Sequence, residues 1–320
     1  MAKPLEYNAT VTQRIDLEPS LSVFRVRPDR PFSESGEPWF VPGQYLTLGK
    51  NRPAGADDDP RPHSVRRPMS IASAPHDTED AEFYIRRVTV PESELPLTHQ
   101  LWTCNPGDRM YCRPTPAGKF TIEDTCGADD PRLKVTVAAG TGLAPFVSMA
   151  RARVRHDPSA DLSDFAIVHG ASYPTGLGYR DELDGFSGGH GLRYVPTVSR
   201  PHEAPDWDGA TGRAEAQFSE DTLPKTEAAL GLGEGELNPR RAVVLICGLQ
   251  GTIGGTVSSL IERGFVPDHR RLRRALSVPE DLPASVYWEQ YDSTPVLDTK
   301  DEALMERLRT ALHAALERLG

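Results

Sequence analysis

The sequence predicts an antiparallel β-barrel, then an α/β domain built on a parallel sheet, and finally a C-terminal helical extension. Three patterns support this fold class: short β-branched and apolar runs between turns in the first part, apolar strands alternating with helical patterns in the second, and a leucine stripe at the end. A chain of 320 residues has room for about two domains. We expect domains at residues 1–128 and 129–297 and the extension at 298–320.

The barrel prediction depends on a series of short strands separated by turn-forming dipeptides. Pro42-Gly43 and Pro106-Gly107 are two such turns. Several strands at this spacing are typical of a barrel or a sandwich. The predicted strands are residues 7–14, 21–27, 44–48, 83–88 and 109–113.

The second part predicts a parallel sheet, because buried-type strands that alternate with helices require right-handed crossovers. Strands are predicted at residues 133–139, 165–170, 192–198 and 242–247, and helices at 144–156, 179–183, 217–223 and 255–264. In the extension, leucines recur three or four residues apart, which indicates a helix that packs on its own protein or on a second subunit. These leucines are Leu304, Leu308, Leu312, Leu316 and Leu319.

Composition and charge argue against several classes of protein. A formal net charge of −10 is unfavourable for a general nucleic-acid binder. No apolar run reaches the ~18 residues of a membrane span, and the N-terminus lacks the apolar segment of a signal peptide, so we expect a cytoplasmic protein. The four cysteines form no C-x-x-C pair and the histidines form no ligand motif, so no metal site is predicted.

Three short motifs are candidates for carrying chemistry. The GTG run at residues 140–142 follows an apolar strand and precedes a helix, where backbone N–H groups and the helix dipole favour a phosphate. The CG pair at residues 247–248 ends another predicted strand, at the sheet edge where α/β proteins hold ligands. The RPMS run at residues 67–70, taken alone, indicates only a strand with an exposed arginine.

The motifs occur in the order PGQY, RPMS, GTGLAPF, VSRP and CG, and this ordered set resembles the ferredoxin-NADP reductase family over roughly residues 8–290. The run VHGASYPTGLGYRDEL and the pair Tyr287-Trp288 look closest to the bacterial single-chain reductases of ferredoxin or flavodoxin. The resemblance implies FAD in the barrel and NADP(H) in the α/β domain. It also implies an enzyme that transfers a hydride between NADP(H) and flavin, and single electrons to or from ferredoxin or flavodoxin.

For the flavin site, the resemblance implies that Arg67 pairs with the FAD pyrophosphate and that Ser70 lies beside flavin N5. Met69 stands where the family usually has a tyrosine or phenylalanine, and Leu95 stands where it usually has a glycine. The implied FAD-binding residues are Arg67, Pro68, Met69, Ser70, Tyr84, Ile85, Arg86, Leu97, Thr98 and Trp288.

For the nucleotide site, the resemblance implies a pyrophosphate cradle at Thr141 and Gly142 and a 2'-phosphate site at Ser199 and Arg200, whereas Ser172 replaces a frequent second arginine. No Asp or Glu stands at the end of the second or third strand to take a ribose 2'-hydroxyl, which favours NADPH over NADH. The implied NADP(H)-binding residues are Thr141, Gly142, Ser199, Arg200, Arg213, Cys247 and Gly248, and the implied catalytic residues are Ser70 and Cys247.

A basic cluster within an acidic protein admits two interpretations, a solvated helix face or a docking patch for an acidic electron carrier. The sequence does not decide the oligomeric state. Two other functions stay open: an NADH-dependent reductase component that feeds an oxygenase or free flavin, and a non-catalytic nucleotide-binding subunit that has lost its flavin. The cluster consists of Arg270, Arg271, Arg273 and Arg274.

Overall fold

The computed structural model describes residues 4–52, 64–91 and 96–320, which fold into two compact units. The first unit comprises Met1–Thr121 and Ala144–Pro158, and the second comprises Ile122–Leu143 and Ser159–Gly320. One unit contains an antiparallel sheet and the other a parallel sheet, so the predicted fold class is confirmed. Leu95 lies outside the described residues.

The first unit is a six-stranded antiparallel barrel with the strand order β4-β3-β6-β1-β2-β5. An isolated bridge between Ile71 and Phe83 joins the two ends of this order. Along β3, Leu46 and Leu48 are buried while Tyr45 and Thr47 are partly exposed, as expected for strands with one face on a core. The strands are β1 (Ala9–Glu18), β2 (Leu21–Pro28), β3 (Tyr45–Asn51), β4 (Ser64–Ser70), β5 (Ala81–Arg86) and β6 (Arg109–Cys112).

In its described residues, the first unit contains the helices α1 (Leu97–Leu101) and α3 (Ala144–His156). Ser148 of α3 donates its hydroxyl to the carbonyl of Ser73 at 2.8 Å. Arg151 of α3 donates to the buried carboxylate of Glu82 at 2.6 Å. A buried carboxylate needs such a partner, so these contacts fix α3 to the barrel.

The second unit is a six-stranded parallel sheet with the strand order β10-β9-β8-β7-β11-β12. Its central strand β7 is buried over nearly its whole length, which is typical of a sheet covered on both faces. The strands are β7 (Leu133–Ala139), β8 (Phe165–Ala171), β9 (Arg193–Val198), β10 (Ala210–Thr211), β11 (Ala242–Gly248) and β12 (Val286–Gln290). The helices are α2 (Ile122–Thr125), α4 (Arg180–His190), α5 (Leu223–Ala229), α6 (Gln250–Ile261), α7 (Arg270–Ala275) and α8 (Glu302–Leu319).

Several elements of the structure are not predicted by the sequence patterns. These are the strands β4, β10 and β12 and the short helices α1 and α2. In β4, Pro68 interrupts the apolar alternation, and it is tolerated because β4 lies at an end of the strand order. The helix predicted at 217–223 is replaced by a short 3₁₀ turn and by α5, which begins where Pro224 fits a first helical turn.

The C-terminal helix α8 packs on the second unit of its own chain, which is one of the two arrangements that the leucine stripe predicts. Leu308 and Leu312 are fully buried in the core of the parallel sheet domain. Asp301 caps the helix by accepting from the backbone of Leu304 at 3.0 Å. Arg309 donates to the carbonyl of Ala275 at 2.8 Å, which ties α8 to the end of α7.

Of the helices in the described ranges, none combines the length and the hydropathy needed to cross a membrane. The same residues contain no group of three or more His, Cys, Asp or Glu side chains placed to hold a metal ion.

Candidate functional site

The first unit brings together the barrel segments that the motifs single out. β4 carries residues 67–70, and β5 carries residues 84–86. The bridge between Ile71 and Phe83 comes directly after β4 and within β5, so Ser70 and Tyr84 are the next residues outward from this antiparallel pair. The predicted flavin segments are therefore neighbours in the barrel.

The side chains on β4 present a charged end and a buried end. Arg67 is exposed, and its guanidinium donates to the carbonyl of Arg66 at 2.9 Å. Pro68 is exposed as well, Met69 is partly buried beside the barrel core, and Ser70 is buried. An exposed guanidinium three residues before a buried hydroxyl suits an elongated ligand with a charged part and an apolar ring.

Two more predicted contacts lie near these strands. Leu97 and Thr98 begin α1, which contacts both β3 and β4. Leu97 is buried, and the hydroxyl of Thr98 accepts from the backbone of Val88 at 3.4 Å. The side chain of Arg86 is held by Glu18 at 3.3 Å, so the contact expected of this residue would be made by its backbone.

In the second unit, the glycine loop follows β7 directly and touches the end of β11. Gly140 has a φ of +54°, a left-handed conformation that favours glycine. A Cβ atom on Gly142 would lie 2.0 Å from the carbonyl oxygen of Cys247. Only glycine permits this approach, so Thr141 and Gly142 form a narrow backbone surface at the carboxyl edge of the sheet.

Cys247 ends β11 just before Gly248 and is fully buried. Burial raises the pKa of its thiol, and the negative charge of Glu289 raises it further. The thiol is therefore protonated at neutral pH, so Cys247 contributes a small neutral side chain and not a thiolate nucleophile.

Sequence reasoning missed Tyr291, which lies just after β12 at the same edge. Its backbone donates to the carbonyl of Gly248 at 3.0 Å, and its hydroxyl donates to the carbonyl of Thr141 at 3.5 Å. Its side chain is 43% exposed, which is unusual for a large aromatic residue held at a glycine loop. The sequence carries no local signal for this residue, because β12 is not a predicted strand and its pairing with β11 is known only from the structure.

Tyr287 and Trp288, the pair that the sequence analysis selected, lie within β12. Trp288 packs against the core of the second unit, with its ring 5.7 Å from that of His269. Tyr287 lines a polar cleft of about 450 Å³ together with Asp124 and Arg273. Burial raises the pKa of Tyr287 to about 12.

The two candidate 2'-phosphate arginines lie beyond the ends of β9 and β10. Arg200 and Arg213 are 55% and 77% exposed. Backbone hydrogen bonds from Ser199 to Ala171 and from Arg200 to Ser172 hold the ends of β8 and β9 together. Exposed guanidinium groups at this edge can bind a phosphate bidentately.

The basic cluster divides into two kinds of arginine. Arg270, Arg271 and Arg274 are exposed, and they form no ion pair with any side chain in the described ranges. Arg273 is partly buried and donates to the carbonyls of Pro279 and Leu282 at 2.8 and 2.6 Å. Arg273 therefore stabilises the loop after α7.

Comparisons with known proteins bear on the fold and the family of the chain. Residues 136–257 match the family model described as an oxidoreductase NAD-binding domain. The chain is 33% identical to ferredoxin–NADP reductase B of Sorangium cellulosum over 211 residues, which is 66% of this chain and 74% of that protein. It is 29% identical to methane monooxygenase component C of Methylosinus trichosporium over 208 residues, covering 65% of this chain and 53% of that protein.

A solved structure with a similar fold is the ferredoxin NADP+ reductase from Neisseria gonorrhoeae with bound FAD and NADP. It superposes with a TM-score of 0.67 at 20% identity and covers 88% of this chain and 97% of that chain. The likeness at this identity concerns the fold, a β-barrel unit followed by a parallel-sheet unit. Together with the Sorangium relative, it identifies the chain as an oxidoreductase that belongs to the ferredoxin–NADP reductase family.

Proposed function

We propose that this chain is an FAD-dependent NADPH reductase that exchanges single electrons with ferredoxin or flavodoxin. The observation that carries the proposal is the pairing of Ile71 with Phe83, which places the RPMS segment beside β5 in the barrel. Family membership alone does not say where in the chain a flavin binds. The pairing supports a flavin site built from residues 67–70, 84–86 and 97–98.

The residues present fit both groups. For FAD, Arg67 offers an exposed guanidinium to a pyrophosphate, and the partly buried Met69 and buried Ser70 offer a less polar surface to a ring. For NADP(H), the loop at Gly142 has no side chain, and a Cβ would fill the space beside Cys247. Backbone N–H groups there can bind a pyrophosphate at the edge of the sheet.

Each residue then has a physical task in the proposed reaction. When bound, the flavin supplies the chemistry, because it accepts a hydride and releases electrons one at a time. Arg67 anchors the charged part of FAD, and Arg200 and Arg213 anchor the 2'-phosphate of NADPH. In this proposal the hydroxyl of Ser70 lies beside the flavin in the first unit. In the second unit the neutral thiol of Cys247 lies beside the nicotinamide, and Tyr291 limits how the nicotinamide approaches Cys247. Trp288 stays a prediction as a flavin contact.

The partner proposal rests on charge. Arg270, Arg271 and Arg274 are exposed and have no ion-pair partner among the residues that the structure describes, on a chain whose net charge is −10. A local positive patch attracts an acidic carrier and orients its encounter. We define these three residues as the docking patch and leave out Arg273, because its guanidinium is engaged by backbone carbonyls.

A second candidate function is a reductase component that feeds an oxygenase from NADH. It is favoured by Ser172, which removes one arginine from the expected 2'-phosphate site, and by the relative named methane monooxygenase component C. Its electron acceptor would be an oxygenase protein. A panel of purified ferredoxins, flavodoxins and oxygenase components, assayed with each nucleotide, separates the two candidates.

The test of the flavin site compares Arg67→Ala with Arg66→Ala, its exposed neighbour on β4. The purified wild-type chain should be yellow and release FAD, not FMN, on denaturation. Charge-assisted hydrogen bonds are worth about 1.5–3 kcal/mol, so Arg67→Ala should weaken FAD binding by about tenfold to a hundredfold. Arg66→Ala should leave FAD binding close to that of the wild type.

Two results would contradict the proposal. A colourless protein that FAD cannot reconstitute would favour the non-catalytic subunit, the third function that the sequence leaves open. Equal losses of FAD in both arginine variants would show that the pyrophosphate is bound elsewhere or that β4 is simply disturbed.

A further inference from the structure

Each of the two arginines proposed to bind the 2'-phosphate has a carboxylate nearby: Nη1 of Arg213 lies 3.8 Å from Oε1 of Glu215, and Arg200 lies beside Glu203. Nη1 of Arg200 lies 4.0 Å from Oε1 of Glu203. The same Nη1 donates to the hydroxyl of Tyr173 at 2.7 Å, and that hydroxyl donates to Oε2 of Glu203 at 2.9 Å. We call these three side chains the Glu203 triad; Nε2 of His202 lies 3.4 Å from Oε1 of the same carboxylate.

Backbone hydrogen bonds fix the positions of the three residues of this triad. Pro201–Glu203 form one 3₁₀ turn after Arg200, and the backbone of Glu203 donates to the carbonyl of Arg200 at 3.2 Å. The backbone of Arg200 in turn donates to the carbonyl of Ser172 at 3.1 Å, which sets Tyr173 beside it. Glu203 comes five residues after β9, beyond the strand end where a sequence search for a ribose-binding carboxylate would look.

The triad changes what Arg200 can bind. The hydrogen bond with Tyr173 and the charge of Glu203 raise the pKa of Arg200, so its positive charge is already engaged. A phosphate that approaches Arg200 also approaches the Glu203 carboxylate, and two anions in the same place repel each other. A ribose 2'-hydroxyl has no charge and can donate to a carboxylate, as it does in NAD sites with an acidic residue at this edge of the sheet.

We infer that Glu203 is a specificity-determining residue that lets this chain accept NADH as well as NADPH. Its negative charge weakens the binding of a 2'-phosphate by Arg200 and Arg213. Its carboxylate can accept a hydrogen bond from the 2'-hydroxyl of an unphosphorylated ribose. The absence of an arginine at Ser172 acts in the same direction. This inference rests on the proposed nucleotide site and goes beyond it by naming the residue that sets the selectivity.

The experiment uses two nucleotide fragments without a nicotinamide, so that flavin chemistry does not enter the readout. Adenosine 2',5'-bisphosphate and adenosine 5'-monophosphate are titrated calorimetrically into the purified full chain at low, fixed ionic strength. The variants are Glu203→Gln, which keeps an acceptor for Tyr173, and Arg200→Ala. The control is Glu234→Gln, which removes the same charge from an exposed position in the same unit.

Glu203→Gln should bind the bisphosphate about twofold to fivefold more tightly, the size expected when one exposed like charge is removed. The monophosphate should bind no better than to the wild type, and Glu234→Gln should change neither affinity. The NADPH-to-NADH ratio of kcat/KM should rise in parallel. A gain in affinity is a useful sign here, because a misfolded variant cannot produce it.

Three results would overturn the inference, and they differ in whether they also reject the proposed nucleotide site. An unchanged bisphosphate affinity in Glu203→Gln, with a loss in Arg200→Ala, would reject the role of Glu203 and keep the proposed site. An equal gain in bisphosphate affinity in Glu234→Gln would show that the effect comes from the net charge of the chain and not from the position of Glu203. No effect of either Glu203→Gln or Arg200→Ala on bisphosphate binding would reject the 2'-phosphate site itself.

Discussion

The carbonyl oxygen of Cys247 occupies the place where Gly142 would carry a side chain: a Cβ there would lie 2.0 Å from that oxygen. The neighbour is backbone at the end of a buried strand, so it cannot move aside as a flexible side chain would. The glycine loop is therefore specified by contact with β11 as well as by its own conformation.

Gly142→Ala should displace the glycine loop and weaken nucleotide binding by at least about tenfold, with a loss of about 1–3 kcal/mol in the free energy of unfolding. Gly185→Ala is the matched control, because Gly185 lies within α4 and a Cβ there meets nothing within 4 Å. That control should leave binding intact and stabilise the helix by up to about 1 kcal/mol. Titration with NADPH and thermal unfolding measure both effects, and normal binding by Gly142→Ala would show that the loop does not hold the nucleotide.

Tyr291 and Trp288 should respond differently to replacement by alanine. Trp288 packs against the core, so Trp288→Ala should lower the free energy of unfolding by about 1–3 kcal/mol. Tyr291 is 43% exposed beside Thr141 and Cys247, so Tyr291→Ala should change KM or kcat for the nucleotide with a smaller loss of stability. Denaturant unfolding and steady-state kinetics separate the two effects. If Trp288→Ala instead changed the nucleotide kinetics and Tyr291→Ala mainly lowered stability, Trp288 would be the cofactor contact.

His169 should make the second unit sensitive to acid. It is fully buried in β8, and burial lowers its pKa to about 3. Because the unfolded chain takes up the proton near pH 6.5 and the folded chain does not, stability should fall as the pH drops from about 6.5 towards 3. The expected loss at pH 5 is about 2 kcal/mol relative to pH 8.

The check is His169→Gln, which can keep a hydrogen bond with the hydroxyl of Tyr194 but has no titratable ring. Unfolding free energies of this variant and of the wild type are compared at pH 8 and pH 5. The difference between the two proteins should shrink or change sign at the lower pH. A constant difference would mean that His169 is protonated in the folded chain at pH 5 or that the unit opens before it titrates.

The docking patch predicts a salt-dependent turnover with an acidic carrier. The Debye length falls from ~10 Å at 0.1 M to ~3 Å at 1 M salt, so carrier reduction should slow with added salt while reduction of a small neutral dye should not. Arg271→Glu with Arg274→Glu should abolish most of this salt dependence. Arg318→Glu, an exposed arginine on α8, is the control. Unchanged carrier turnover in the double variant would eliminate the docking patch.

The fold and the glycine loop could be predicted because they depend on local patterns: apolar strands, turn dipeptides and a glycine run between a strand and a helix. Tyr291 could not be assigned by pattern alone, since its place beside Thr141 depends on the parallel pairing of β12 with β11. Glu203 was missed for a related reason. A search at strand ends stops before the 3₁₀ turn that brings its carboxylate to Arg200.

The C-terminal helix should be required for the stability of the second unit. Leu312 is fully buried in its core, whereas Leu316 on the same helix is only partly buried. Leu312→Ala should cost about 2–5 kcal/mol of the free energy of unfolding, and Leu316→Ala clearly less. Truncation after Pro295 removes both leucines and also the buried Val296, so it should impair nucleotide binding while the barrel retains FAD. Flavin absorbance and nucleotide titration of the truncated chain measure the two units separately. Unchanged nucleotide binding and an unchanged unfolding transition would show that α8 only covers the core without supporting it.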